Sequence, residues 1–145
     1  MFSKTCEYGI KAAIFIAMKS GKGERTSLQD IANEIDSPAS FTAKILQKMV
    51  HSKIIESVKG PHGGFEITPV QASRVRLAEI VASIDGDSIY TGCGLGLRNC
   101  NEKKPCPVHH RFKQIRDDLR TMLESTTLFD LSADVTNGLA FLKRK

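Results

Sequence analysis

Apolar residues recur at helical spacing from the first residues of the chain and predict a buried first helix. Over residues 4–19 they cover more than one face, so we expect burial around most of the circumference. Gly21 and Gly23 follow and predict the helix end. The apolar positions are Tyr8, Ile10, Ala12, Ala13, Ile14, Phe15, Ala17 and Met18.

Two further helices are predicted from their start signals. Ser27 is placed to cap a helix over 28–34, with Asp30 reaching back in a capping box. Ser37 followed by Pro38 predicts a third helix that runs to about residue 52, with Ser37 as its N-cap. The buried side of this third helix is predicted to be Phe41, Ile45, Leu46, Met49 and Val50.

The other side of the third helix carries a small, polar and cationic stripe. Ser40, Ala43, Lys44 and Gln47 share this face. Lys and Gln read base edges in a DNA major groove and Ser contacts phosphate, so the stripe fits a recognition helix. An ordinary solvated helix face explains the same pattern, and the helix alone does not separate the two.

A strand pair after the third helix favours the DNA interpretation. Short strands are predicted over 53–59 and 65–68, joined by a glycine-rich tip at 60–64. Three helices followed by such a hairpin form a winged helix-turn-helix, although glycines also suit a simple turn. The predicted DNA contacts are Ser40, Thr42, Lys44, Gln47, Lys48, Lys59, His62 and Gly63.

The second half of the chain predicts a connector over 69–76, a short helix over 77–84 and a long helix over 107–125. Val108, Phe112, Ile115, Leu119 and Met122 repeat at spacings of four and three residues in the long helix. Such a seam needs a partner, and we expect the same helix of a second subunit; packing on its own domain is the alternative. A last helix is predicted over 128–134, before a basic tail that we expect to be partly disordered.

The predicted fold class is therefore mainly α with a small β-hairpin: a winged helix-turn-helix domain plus a long dimerisation helix. We divide the chain into a DNA-binding domain at 1–76, a linker helix and cysteine loop at 77–106, a dimerisation region at 107–134 and a tail at 135–145. The net charge of +5 and pI of about 9.1 favour an acidic partner such as nucleic acid. No signal-peptide layout or membrane-spanning apolar run is present, so a cytoplasmic protein is expected.

Three of the four cysteines lie in one glycine- and proline-rich loop, spaced Cys93-x6-Cys100-x5-Cys106. Clustered cytosolic cysteines are more often metal ligands or redox thiols than structural disulfides. The spacing is not that of a common zinc knuckle or ferredoxin, so an iron–sulfur cluster, a zinc ion and a redox disulfide all stay open. A fourth ligand is available in His109 on the same chain, or in Glu7 from a neighbouring subunit.

These motifs together resemble the IscR/NsrR-type iron–sulfur winged helix regulators of bacteria. The resemblance rests on the following segments: Glu7-Tyr8-Gly9-Ile10, Ser40-Phe41, Lys44-Ile45, the wing 59–65, the three-cysteine loop and 127–131. It implies that Cys93, Cys100 and Cys106 ligate a 2Fe–2S or 4Fe–4S cluster. His109 completes the site in the IscR-like pattern, and the partner's acidic residue, here Glu7, in the NsrR-like pattern. One extra residue between Cys93 and Cys100 departs from the commoner spacing.

The sequence therefore predicts a homodimeric transcriptional regulator, a repressor, that binds a palindromic DNA operator. Its cluster is expected to sense nitric oxide, redox stress or cluster supply. The alternatives are a zinc-stabilised or cluster-free DNA-binding protein with thiol-based sensing, or an iron–sulfur carrier. No nucleophile–base pair or phosphate loop is found in the sequence, so an enzyme is not expected.

Overall fold

The computed structural model describes residues 1–98 and 100–143 and is mainly helical. Within that part the chain forms eight helices and one antiparallel two-stranded sheet, which confirms the predicted fold class. In chain order the elements are α1 (Lys4–Gly21), α2 (Leu28–Ile35), α3 (Ala39–His51), β1 (Glu56–Val58), β2 (Gly64–Glu66), α4 (Pro69–Arg74), α5 (Leu77–Asp85), α6 (Ser88–Thr91), α7 (His109–Ser125) and α8 (Leu128–Thr136).

Helix α1 is the centre of the structure, as its wide apolar surface predicts. It packs against α2, α3, α5 and α8. Ser3 caps its first turn by accepting a hydrogen bond from the Cys6 amide at 3.0 Å. Because α1 contacts elements on both sides of residue 76, one core serves both halves of the chain; the domain division stays a prediction. The buried α1 residues are Cys6, Gly9, Ala12, Ala13, Ile14, Ile16 and Ala17.

The start of α3 differs from the prediction. Ser27 does cap α2, where its hydroxyl accepts from the Asp30 amide at 3.1 Å. At α3, however, the N-cap is Pro38 and not Ser37. Pro38 has an extended backbone, and its carbonyl accepts from the Thr42 amide at 2.9 Å. The helix therefore begins one residue later than Ser37 as a cap would place it.

The buried face of α3 is also rotated from the predicted one at its first turn. Phe41 was expected inside but is 38% exposed, and its ring lies edge-on to Tyr8 at a centroid distance of 5.9 Å. Thr42 takes the interior position instead and is completely buried. Ile45, Leu46 and Met49 are buried as predicted.

The predicted hairpin is present, with shorter strands. Glu56 pairs with Glu66 and Val58 with Gly64. Thr26, just before α2, bridges to Phe65 through two backbone hydrogen bonds of 2.8 and 3.0 Å. Gly64 has φ of +138°, and a side chain there would meet the Thr26 carbonyl, so this close strand contact requires glycine.

Two stretches that were predicted as connections each contain a short helix in the structure. Over 69–76 the connector is mostly α4, which starts with a reciprocal capping box between Thr68 and Gln71 and with Pro69 in its first turn. Helix α6 occupies 88–91, between α5 and the cysteines.

The last helices agree with the predicted order and differ at their ends. Helix α7 begins at His109 with Val108 as its N-cap, so Pro107 lies before the helix and not at its predicted first position. Helix α8 continues to Thr136. The tail was expected to be partly disordered, but Leu142 packs on the core and Lys143 pairs with Glu34 at 3.8 Å. Arg144 and Lys145, the basic end of the predicted tail, lie outside the described residues. Across the described ranges, no helix has the length and apolar character needed to cross a membrane.

Candidate DNA-binding surface and cysteine site

The predicted polar stripe of α3 lies on the surface. Ser40, Lys44, Gln47 and Lys48 are all exposed. His51, which the sequence interpretation missed, is also exposed and follows Lys44 and Lys48 at helical spacing. The helical spacing of His51 from Lys44 and Lys48 could have identified it from the sequence as part of this face. The stripe offers cations and amide groups on one accessible helix face, as a major-groove contact requires.

Thr42 is the exception among the predicted α3 contacts. Its side chain is completely buried, and its hydroxyl donates to the Pro38 carbonyl at 2.9 Å. The hydroxyl is therefore already satisfied within the helix, and no DNA group has access to it. We correct the prediction: Thr42 supports the start of α3 and does not contact a duplex.

The wing presents Lys59 and His62 at an exposed tip. Arg25 holds that tip, because its guanidinium donates to the His62 carbonyl at 3.1 Å and to the Glu66 carboxylate at 3.1 Å. Sequence reasoning missed Arg25, since its partners are 37 and 41 residues away. Gly63 is half-buried, and a side chain there would collide with the Val58 carbonyl. A packing role explains Gly63, and contact of its backbone with DNA stays a prediction.

The cysteine segment connects α6 to α7 and brings its ligands together in two pairs. Cys106 lies close enough to Cys93 for its thiol to lower the pKa of Cys93. The Cys100 sulfur lies 3.4 Å from Nδ1 of His109. In the described part of the chain, no three His, Cys, Asp or Glu side chains gather closely enough to hold a metal ion. The candidate ligands thus approach one another pairwise, without forming a single group.

Cys93 lies in a turn whose backbone amides face its sulfur. The Leu95 amide donates to the Cys93 sulfur at 3.4 Å. The amides of Leu95 and Leu97, followed by the Cys106 thiol and the Gly96 amide, lower the pKa of Cys93 below that of an ordinary cysteine. Amide donors of this kind stabilise a thiolate, which is the form that binds metals and reacts with oxidants.

Cys100 is held by two side chains of α7. Besides His109, Arg116 reaches it: Nη2 of Arg116 donates to the Cys100 sulfur at 3.1 Å, and Nη1 donates to the Gly92 carbonyl. His109 is 3% exposed, and its Nε2 has no hydrogen-bond partner among residues 1–98 and 100–143. A buried polar atom without a partner is costly, and a bound ligand is one way to satisfy it.

Glu7 is half-buried in the first turn of α1 and does not join the cysteines within one chain. Its neighbour Cys6 is completely buried, and burial together with the nearby Asp85 carboxylate raises the pKa of Cys6 to about 12. Asp85 also accepts from the Ser3 hydroxyl at 2.7 Å. The start of α1 is thereby tied to the end of α5, from which the chain continues into α6 and the cysteine segment.

The Cys100–His109 pair has the donor types and the separation of two ligands of a thiophilic metal, although no third ligand joins them among the described residues. Two ligand atoms on one tetrahedral ion, at about 2.3 Å for sulfur and about 2.0 Å for nitrogen, lie about 3.5 Å apart. The Cys100–His109 separation of 3.4 Å is close to that value. Thiolate and imidazole ligands suit iron or zinc and not calcium or magnesium.

Three helices followed by a buttressed two-stranded hairpin, with a long helix beyond them, define a winged helix transcriptional regulator. The chain belongs to the Rrf2 family of iron-dependent transcriptional regulators, whose family model matches residues 2–134. Its relatives are regulators of transcription and not enzymes.

Curated relatives and solved structures agree with this family. A protein of Aquifex aeolicus, provisionally named an HTH-type transcriptional regulator, is 26% identical over 133 residues and 90% of each chain. The regulator IscR of Vibrio atlanticus is 24% identical over 127 residues, covering 88% of this chain and 72% of its own. The structure of CymR, the global cysteine regulator of B. subtilis, superposes with a TM-score of 0.74 at 22% identity, over 92% of this chain and 96% of that one. The IscR structure from T. potens gives 0.73 at 16% identity, over 97% and 92%.

The thiol environments predict which cysteine is alkylated first and which last in the reduced, metal-free protein. At about pH 7.5 Cys93 should react fastest, because its lowered pKa gives it more thiolate, whereas Cys6 should stay almost unmodified. Mass spectrometry of peptides after timed iodoacetamide treatment measures the order. The urea-unfolded protein is the control, in which all four cysteines should react alike. Rapid native modification of Cys6 would contradict the assignment.

Proposed function

We propose that the protein is a homodimeric, cytoplasmic repressor of transcription whose affinity for a palindromic DNA operator is set by an iron–sulfur cluster. One observation carries the proposal: the segment that bears the cysteines is attached to α7, the helix with the unpartnered apolar side chains. A change at the cysteines is therefore applied directly to the helix that would join two DNA-binding domains.

The DNA contacts are assigned to two surfaces. Ser40, Lys44, Gln47 and Lys48 of α3 enter the major groove, where Lys and Gln can read base edges. Lys59 and His62 at the wing tip contact the phosphate backbone or the minor groove. Arg25 acts indirectly, by holding the tip in place. The net charge of +5 supports the attraction to DNA without giving it sequence preference.

The second subunit is assigned to the exposed face of α7. Ile115 is 60% exposed, Met122 42% and Phe112 37%. These residues belong to the apolar repeat of α7, whereas His109 and Leu123 are the residues that the helix buries in its own chain. Leu119 of the same repeat packs on its own core, and the three exposed members form the kind of apolar surface through which a helix pairs with a copy of itself.

We assign Cys93, Cys100 and Cys106 as cluster ligands and His109 as the fourth. The contact of His109 with Cys100 supports His109 over Glu7 of the partner subunit. A cluster bound there would supply one-electron redox chemistry and reactivity toward oxygen and nitric oxide. The chain's own part is to hold the thiolates: amides of the Cys93 turn and the Arg116 guanidinium donate to sulfur. The signal is then nitric oxide, redox stress or cluster supply.

Thiol-based sensing without a cluster is the second candidate, and the proximity of Cys106 to Cys93, which lowers the pKa of Cys93, favours it. Two adjacent thiols, one with a lowered pKa, are suited to forming a disulfide under oxidation. A zinc-stabilised protein and an iron–sulfur carrier use the same ligands. Metal content distinguishes a protein with an iron–sulfur cluster from one with zinc and from one without metal. DNA binding distinguishes a regulator from an iron–sulfur carrier.

Purification without oxygen should give a coloured protein that contains iron and acid-labile sulfide and little zinc. His109→Ala should lose or alter the visible spectrum, because it removes the proposed fourth ligand, whereas Glu7→Ala should keep it. The Cys93→Ala, Cys100→Ala, Cys106→Ala triple variant is the control for adventitious iron. A colourless protein with one zinc per chain would refute the cluster proposal. Loss of the spectrum in Glu7→Ala alone would show that Glu7, and not His109, is the fourth ligand.

Lys44→Ala and Lys59→Ala should each weaken binding to an operator selected by the wild-type protein from random duplexes. Loss of Lys59, a phosphate contact, should also reduce the slope of log affinity against log salt by about one unit. Loss of Lys44 should relax base preference, at a cost of about 1–3 kcal/mol. Fluorescence anisotropy measures both, and Lys113→Ala on α7 removes the same charge as a control. Normal binding by both wing and helix variants would refute the proposed surface.

Ile115→Asp should convert the dimer to monomers, because it places a charge in the apolar face of α7. Sedimentation velocity measures the change. Gln114→Asp introduces the same residue one position away and should leave the dimer intact, since Gln114 belongs to the polar side of the helix. A stable dimer of the Ile115→Asp variant would show that the subunits meet elsewhere.

A further inference from the structure

One stripe of α7 contacts α6, the backbone at Gly92 and Gly94, and Cys100. Phe112, Arg116 and Arg120 lie at successive i, i+4 positions on one face. The Arg120 guanidinium lies 4.6 Å from the Tyr90 ring centroid. The backbone of Gly94 rests against the Phe112 ring so closely that any side chain there would overlap the ring. The segment is thus docked by side chains along two turns of the helix.

Arg116 is at the centre of this stripe and differs from its neighbours in what it joins. Its two terminal nitrogens reach the Gly92 carbonyl before the cysteines and the Cys100 sulfur in their middle. The side chain is part-buried, and its Nε atom is enclosed without a hydrogen-bond partner in the described part of the chain. Because the guanidinium is partly removed from water, its hydrogen bonding depends on its two acceptors, the Gly92 carbonyl and the Cys100 sulfur.

The same stripe borders the apolar face proposed for dimerisation. Ile115 adjoins Arg116 on the helix, and Leu119 lies between the two rows. His109, two turns before Arg116 on the same helix face, also contacts the Cys100 sulfur. Cys100 therefore contacts two side chains of α7, whereas the hydrogen bond to the Cys93 sulfur comes from the Leu95 amide of its own turn. The three cysteines are not equivalent with respect to the helix.

We propose that Arg116 is the positioning residue that transmits the state of Cys100 to α7. While the Cys100 sulfur accepts from Arg116, the guanidinium holds Gly92 and Cys100 on one side of the helix, and Gly94 rests on Phe112. Withdrawal of that sulfur leaves Arg116 with one acceptor and releases the segment. The regulatory part of this inference rests on the proposed function, and the docking part does not.

Hydrogen exchange of the metal-free protein tests the docking directly. Arg116→Gln should speed exchange of backbone amides in 92–98 by about tenfold or more, because it removes a two-armed, charged contact. Arg116→Lys keeps the charge and should restore part of the protection. Arg111→Gln, at an exposed arginine of the same helix, is the matched control and should leave 92–98 unchanged. Wild-type protection in Arg116→Gln would overturn the inference.

A double-mutant cycle separates a specific link from general loosening. Cys100→Ala should raise exchange in 92–98, and adding Arg116→Gln should raise it little further, since both remove the same contact. Cys93→Ala should combine with Arg116→Gln independently. Independent effects of Arg116→Gln and Cys100→Ala would overturn the inference, even if each variant alone loosens the segment.

Operator binding then tests the regulatory part. If the ratio of affinities with and without the cluster differs from one in the wild type, Arg116→Gln should move it toward one, and an unchanged ratio would overturn the transmitting role. If the wild-type ratio is already one, the proposed function fails, and with it the transmission of Cys100's state to DNA binding; the exchange measurements still decide whether Arg116 docks the segment through Cys100.

Discussion

Burial of α1 on nearly all sides is the constraint on which the rest of the structure depends. The helix contacts α2 and α3 of the DNA-binding half and α5 and α8 of the other half. Fully buried small residues such as Ala12 and Ala13 let the neighbouring helices approach closely, and Gly9 lies directly against Ile84 of α5. Because interiors are close-packed, a shift of α5 cannot be absorbed locally and must be passed to the helices that share α1.

This packing gives the cysteine segment two connections to the DNA-binding surface. One runs through α5, whose last residue Asp85 binds Ser3 at the start of α1. The other runs through α7, which carries Arg116 and, under the proposed function, the second subunit. The first reaches α3 within a subunit, because α1 and α5 both pack against α3, and the second would reach the other subunit of the proposed dimer. A two-fold operator is sensitive to both, because its half-sites are read at a fixed spacing.

Local sequence signals predicted most of the fold. The Ser27 cap, the glycine-rich wing tip and the apolar repeat of α7 each depend on neighbours within a few residues. Helix α4 was predictable in the same way from Thr68, Pro69 and Gln71, a capping pattern that had been assigned to a connector. Adjacent helix positions differ by about 100° around the axis, so Phe41 and Thr42 do not both face the core. Thr42 takes the buried position that was predicted for Phe41, and Phe41 packs against Tyr8 of α1. The grip of Arg25 on the wing and of Arg116 on Cys100 has no local signature, since each joins residues distant in sequence.

The size of the Arg116 contact is appropriate for a switch. A tenfold change in affinity needs about 1.4 kcal/mol, and a hydrogen bond to a charged group contributes roughly 1.5–3 kcal/mol. One such contact, made in one state of Cys100 and lost in the other, therefore supplies the differential free energy that regulation requires. Among the described residues no α7 side chain donates to the sulfur of Cys93 or Cys106, so a change at either sulfur acts through the segment as a whole. Under the proposed function, all three cysteines hold the cluster, and Cys100 is the ligand whose sulfur α7 contacts through Arg116.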